Sequence, residues 1–204
     1  MKGSERQGTL QRKTKETTIS VSLNLDGSGK RDIHTGVGFF DHMLAQFAEH
    51  SCIDVSVNVQ QGDTHIDDHH TVEDVGIVMG IALLKALGTC EGIVRYASSL
   101  LPMDDALISC ALDCSGRSYI FWDVAFTAEK VGTFDVELVQ EFFRALIANS
   151  GITAHLSKVR GSNSHHIAEA TFKAFAVALR HCIEIDSVKF GRVPSTKGIL
   201  GWEK

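Results

Sequence analysis

Proline is almost missing from this chain: Pro102 and Pro194 are the two among 204 residues. A proline-rich linker is therefore excluded, and no low-complexity run takes its place. No apolar run reaches the length of a membrane span. Residues 1–16 are polar and basic with no apolar stretch, so no secretory signal is expected. The five cysteines are irregularly spaced and none forms C-x-x-C. Cys110 and Cys114 are the nearest pair, and reduced thiols of a cytoplasmic protein are the expectation. Positive charge is also short. Twenty Lys and Arg face 25 Asp and Glu, a formal net charge of -5. That balance disfavours a nucleic-acid partner, because phosphate backbones need a basic surface. No G-x-x-x-x-G-K loop occurs, so nucleoside triphosphate chemistry has no support.

What the chain does have is apolar patterning, with 44% hydrophobic residues. Residues 17–25 alternate, with Ile19, Val21, Leu23 and Leu25 on one side, the period of a half-buried strand. Asp26-Gly27-Ser28-Gly29 then reads as a hairpin turn. Residues 39–50 have helical spacing, Ile53, Val55, Val57 and Val59 alternate again, and residues 71–87 form a long apolar helix capped at Gly88. The second half repeats the order. Strands are expected at 107–112, 118–126 and 152–159, a turn at Asp113-Cys114-Ser115-Gly116, and helices at 136–148 and 166–183. This points to one α+β domain over 1–204 made of two pseudo-repeats, about 9–93 and 94–190, with a tail at 191–204.

The ten histidines gather mainly in two clusters. His69-His70-Thr71-Val72-Glu73 recurs as His165-His166-Ile167-Ala168-Glu169, each opening a long helix. Imidazole and carboxylate suit divalent first-row metals. His and Glu at i,i+3 and i,i+4 share a helix face. The adjacent histidines point about 100° apart around the helix, so each pair should serve two ions. His42 and, by order of elements, Glu141 are further ligand candidates. His155 and His65 are weaker ones, and His34, His50 and His181 are ordinary. With no cysteine near either cluster, a structural zinc site is not expected.

These stretches resemble a known family. Gly38-Phe39-Phe40-Asp41-His42-Met43-Leu44, Leu101-Pro102-Met103-Asp104-Asp105-Ala106 and Pro194-Ser195-Thr196-Lys197-Gly198 are similar to imidazoleglycerol-phosphate dehydratase, as are the segments 67–74 and 163–173 around the two histidine pairs. The resemblance implies a duplicated α+β unit, each half holding a mostly antiparallel four-stranded sheet and two helices. It implies a hydro-lyase of histidine biosynthesis, forming imidazoleacetol phosphate and water from imidazoleglycerol phosphate. It also implies two manganese ions per active site and a 24-mer with sites between subunits. The implied metal ligands are His42, His69, His70, Glu73, Glu141, His165, His166 and Glu169, although some relatives have His where Glu141 stands. Arg95, Arg117, Lys173, Ser195 and Lys197 would hold the substrate, chiefly its phosphate. Glu16, on its own a plain surface carboxylate, would transfer a proton, with Glu73 and Glu169 also catalytic. Metal on the ring nitrogens would favour imidazolate and relay electrons. Two other readings stand beside this one, and a third, an RNA-binding module of similar α+β topology, is opposed by the negative net charge. Asp68-His69-His70 also matches the D-H-H element of a two-metal phosphoesterase family, and a non-catalytic metal-binding protein would also use such clusters.

Overall fold

The computed structural model describes residues 6–189 and 191–200. The readings of residues 1–5 and of the last tail residues, 201–204, lie outside these. In chain order the elements are β1 (Gln7–Lys13), β2 (Thr18–Asn24), β3 (Arg31–His34), α1 (Gly38–Ser51), β4 (Asp54–Gln61) and α2 (His69–Leu87). The second half follows with β5 (Tyr96–Met103), β6 (Ala106–Asp113), β7 (Tyr119–Asp123), α3 (Glu137–Ser150), β10 (Thr153–Arg160) and α4 (Ser164–Ile183). Between β7 and α3 lies a two-stranded ribbon, β8 (Lys130–Val131) with β9 (Phe134–Asp135).

Each half builds one four-stranded sheet of the same order, β1-β2-β4-β3 and β5-β6-β10-β7. In each, two neighbouring pairs are antiparallel and the outer pair, β3 with β4 or β7 with β10, is parallel. The hairpin expectation at Asp26–Gly29 and at Asp113–Gly116 is thereby corrected. Each turn leads to a strand that is not the neighbour of the one before it, because β4 or β10 takes that edge. The parallel return needs a crossover, and α1 and α3 supply it. Asp54 holds the first connection, accepting from the backbone N–H groups of Ser28 and Lys30 at 2.8 and 2.9 Å.

Alternation determines which face of each sheet is dry. Ile19, Val21 and Leu23 of β2, and Ile108, Cys110 and Leu112 of β6, are buried, while Ser20, Ser22, Ser109 and Ala111 between them are at least partly open. Each dry face rests on helices of its own half, α2 on β1 and β2, α4 on β5 and β6. The helices then pair across the halves, α1 with α4 and α2 with α3. Gly76 and Gly80 let α2 and α3 approach closely. A Cβ at Gly76 would stand 2.8 Å from the Phe142 carbonyl oxygen, and one at Gly80 2.4 Å from that of Leu146. The contact advances in the same direction on both helices, so the first turns of α2 and α3 lie side by side. Between α1, α3 and α4, Phe47 stacks on Phe175 and Phe142 on Phe172, at ring separations of 6.2 and 5.3 Å. Among the described residues no helix is long and apolar enough to cross a membrane.

Candidate functional site

Both histidine pairs sit in the first turn of a long helix, and local hydrogen bonds fix those starts. Asn163 Oδ1 accepts from the backbone N–H groups of His165 and His166 at 2.9 and 3.3 Å, a side-chain cap. Asp67 Oδ1 accepts from His69 N–H at 2.9 Å. Within each pair the rings diverge. Their planes make 87° for His69 and His70 and 81° for His165 and His166, with centroids 6.0 and 6.1 Å apart.

The packing of α1 on α4 brings together a group that no single half contains. His42, His165 and Glu169 each offer one ligand atom, and the three lie within 4.8 Å of one another. Glu169 Oε2 is 3.2 Å from His165 Nε2 and 3.4 Å from His42 Nε2. Its other oxygen ion-pairs with Lys173 at 2.6 Å. Burial alone would raise the Glu169 carboxyl, but the hydrogen bond and charge of Lys173, then His165, outweigh it and hold it below the ordinary value. Two imidazole nitrogens and a buried, ionised carboxylate fit a first-row divalent cation. Lys173 thus stands beside this group, away from the other expected substrate cations.

The repeat places Glu141 on α3 where His42 stands on α1, beside the α2 turn that carries His69 and Glu73. Their side chains do not form a second such group among the described residues. Glu141 is instead ion-paired with Arg144 at 2.8 Å. His70 and His166 face carboxylates to which the sequence reading gave no role. His70 Nδ1 is 2.6 Å from buried Asp63, and His166 Nδ1 is 2.7 Å from Asp105. The Asp63 hydrogen bond raises His70 above the ordinary histidine value, and the same bond lowers Asp63. Asp105 lies well below the carboxylate range, held there by the Ser162 N–H, His166 and the Asn163 N–H. Asp63 was missed because it becomes notable only when a loop folds over α2. Asp105 was in view inside Met103-Asp104-Asp105-Ala106, but its partner lies 61 residues away. Glu16 is exposed in the β1–β2 turn, and its charge acts on His70.

The remaining expected substrate groups, Arg95, Arg117, Ser195 and Lys197, line one cavity of about 1050 Å³ at the far end of the second sheet. Arg95 is largely buried there. It donates to Asp113 at 2.8 Å and to the Pro194 carbonyl at 2.7 Å, and so ties the tail to β6. Arg117 is more exposed. This cavity adjoins the C-terminal end of α4, where Arg95 N–H bonds the Cys182 carbonyl. His165 stands at the other end of the same helix. Seventeen residues of helix at 1.5 Å each separate the two by roughly 25 Å, too far for one small phosphorylated molecule to touch both in one chain.

Comparison with known proteins gives a consistent result. A family model for imidazoleglycerol-phosphate dehydratase matches residues 35–179. Proteins of that name from Dinoroseobacter shibae and Agrobacterium fabrum are 59% and 58% identical over 195 and 196 residues. These alignments cover 96% of this chain in both cases and 100% and 98% of the relatives. The crystal structure of the Staphylococcus aureus dehydratase superposes with a TM-score of 0.80 at 40% identity, over 88% of this chain and 99% of that one. The Pyrococcus furiosus structure also gives 0.80, at 36% identity, over 94% of this chain and 100% of its own.

Proposed function

The chain belongs to the imidazoleglycerol-phosphate dehydratase family of histidine biosynthesis, and from that premise we propose that it converts imidazoleglycerol phosphate to imidazoleacetol phosphate and water at a two-manganese site shared between copies of the chain. The observation that carries this is the convergence of His42, His165 and Glu169 from opposite halves. These three hold one ion. By the repeat, Glu141, His69 and Glu73 hold the other. His70 and His166, turned away from their own groups, complete shells in a neighbouring copy. Bound manganese supplies Lewis-acid charge to the ring nitrogens, which favours loss of hydroxyl from the carbon attached to the ring.

The chain's own residues do the rest. Glu16 takes the proton from the next carbon along, the one that becomes the ketone; that proton and the departing hydroxyl make up the water, and the enol that remains gives its hydroxyl proton to the ring-attached carbon to form the ketone. Arg117, Ser195 and Lys197 anchor the phosphate, while Arg95 holds the Pro194–Lys197 loop against β6 and narrows that pocket. Lys173 keeps Glu169 ionised and oriented. Because the cationic cavity and the metal group lie at opposite ends of α4, self-association, here a 24-mer, completes each site. The enzyme works in the cytoplasm, where its cysteines remain thiols.

A direct assay tests the reading. Protein stripped of metal and reloaded with Mn²⁺ should form a keto product from imidazoleglycerol phosphate, and the stripped protein should not. Release of inorganic phosphate without keto product would instead favour a phosphoesterase. Metal binding with no turnover would leave a metal-binding protein.

A further inference from the structure

The second histidine of each pair is backed by a carboxylate, and the two carboxylates come from non-equivalent places in the repeat. Asp63 Oδ2 lies 2.6 Å from His70 Nδ1, and Asp105 Oδ1 lies 2.7 Å from His166 Nδ1. An ionised carboxylate only accepts hydrogen bonds, so each Nδ1 carries the proton. In the neutral ring the lone pair is then left on Nε2. His166 Nε2 has the exposed Asp104 carboxylate at 3.5 Å, a loose contact that an ion can replace. The two backing carboxylates are held differently, the second oxygen of Asp63 having no hydrogen-bond partner among the described residues. Asp63 is buried. The second oxygen of Asp105 accepts from Ser162 N–H at 2.6 Å, Asn163 N–H at 3.1 Å and Ser162 Oγ at 3.1 Å.

The origin of the two carboxylates differs in an informative way. Asn24 and Asp113 hold the same place in the two sheets, facing Asp54 and Thr153. Counted from them, Glu16 and Asp105 stand equally far upstream, in the turn between the first two strands of their halves. In the second half this turn carboxylate backs the histidine. The residue two beyond β10, Ser162, holds it there. In the first half the residue two beyond β4 is Asp63, which backs the histidine directly.

We propose that Asp63 and Asp105 are positioning residues that fix His70 and His166 with Nδ1 protonated and Nε2 presented to the metal ion, and that Asp63, by taking this task in the first half, leaves Glu16 free for proton transfer. A carboxylate that accepts a hydrogen bond from the far nitrogen of a ligating histidine orients the ring and raises its basicity as a ligand. The proposal rests on His70 and His166 being ligands, and the test separates the two ideas.

Mn²⁺ titration of the metal-stripped, assembled protein is the measurement, with Mn²⁺ electron spin resonance reporting coordinated nitrogen. Asp63→Ala and Asp105→Ala should each weaken Mn²⁺ binding by about 10- to 100-fold, with altered nitrogen coupling. Asp63→Asn and Asp105→Asn, which keep an acceptor, should lose less. Should an Ala variant fail to assemble, its Asn partner carries the comparison. Variants that unfold at lower temperature yet bind Mn²⁺ as the unsubstituted chain does would overturn the positioning role alone, provided that His70→Ala and His166→Ala lose Mn²⁺. If those two histidine variants keep full binding, the ligand reading falls and the positioning role falls with it.

Discussion

Glu169 is held on two sides at once, by Lys173 through one oxygen and by two imidazoles near the other. Glu16, by contrast, is an exposed turn residue with no partner in the metal group, which suits a group that must gain and lose a proton. Glu16→Gln should therefore cut turnover by about 10²–10⁴-fold while Mn²⁺ content, measured by elemental analysis, stays unchanged. Normal turnover in that variant would remove Glu16 from the reaction. Proton competition gives a second residue-scale prediction. Only neutral imidazole ligates, and Asp63 raises His70 above its ordinary value. Mn²⁺ affinity and turnover should then begin to fall at a pH above the ordinary histidine value of about 6.5. A flat profile from neutral down to about pH 5 would contradict this. The candidate residues for this chemistry were legible where identity and spacing repeat, as in the two His-His-x-x-Glu clusters, of which the structure groups His165 and Glu169 with His42. Asp63 and the Lys173–Glu169 pair were not read in these roles, because neither has a repeated pattern and each gains meaning from a contact made on folding.

At the scale of elements, the two long helices could be read because their apolar period runs over four or more turns. The opening strand of each half was missed. In β1 only Gly8 is buried, so no apolar alternation marks it, and in β5 the inward positions include Ala97 and Ser99. Turn chemistry was recognised but its destination was not: Asp26–Gly29 looks the same locally whether the chain returns beside β2 or crosses to the far edge beside β4. Asp54 holds that crossing, and the backbone N–H of Ser28 is the main cause of its lowered carboxyl value, followed by Lys30 against a cost of burial. A depressed folded value contributes stability that is present above the ordinary aspartate value and lost as pH falls through the folded one. Asp54→Asn should thus lower the unfolding temperature at neutral pH, and that difference should shrink as the pH falls below the ordinary aspartate value of about 3.9. A gap that does not shrink would contradict the account. The α2–α3 contact supplies another test. Gly80→Ala places a methyl group against the Leu146 carbonyl, and overpacking of this kind should cost about 1–3 kcal/mol in thermal unfolding. An unchanged unfolding temperature would mean that the helices separate freely there.

For the whole molecule, duplication was visible in the order of elements, but the exchange of helix partners between halves was not. Nothing in the sequence of α1 says that it packs on α4, and that pairing alone brings His42 to His165 and Glu169. The same geometry sets the metal group and the cationic cavity at opposite ends of α4, so that one chain holds both parts and joins neither. Glu169→Gln should inactivate through the metal group, and Lys197→Ala combined with Arg117→Ala through the phosphate pocket, each measured as keto-product formation with saturating Mn²⁺. The most direct measurement is the activity of these two inactive proteins dissociated, mixed in equal amounts and reassembled. If each site draws its metal group and its phosphate pocket from different copies, random mixing should restore up to about a quarter of wild-type turnover. A mixture as inactive as its components, although the two chains have co-assembled, would contradict the shared site.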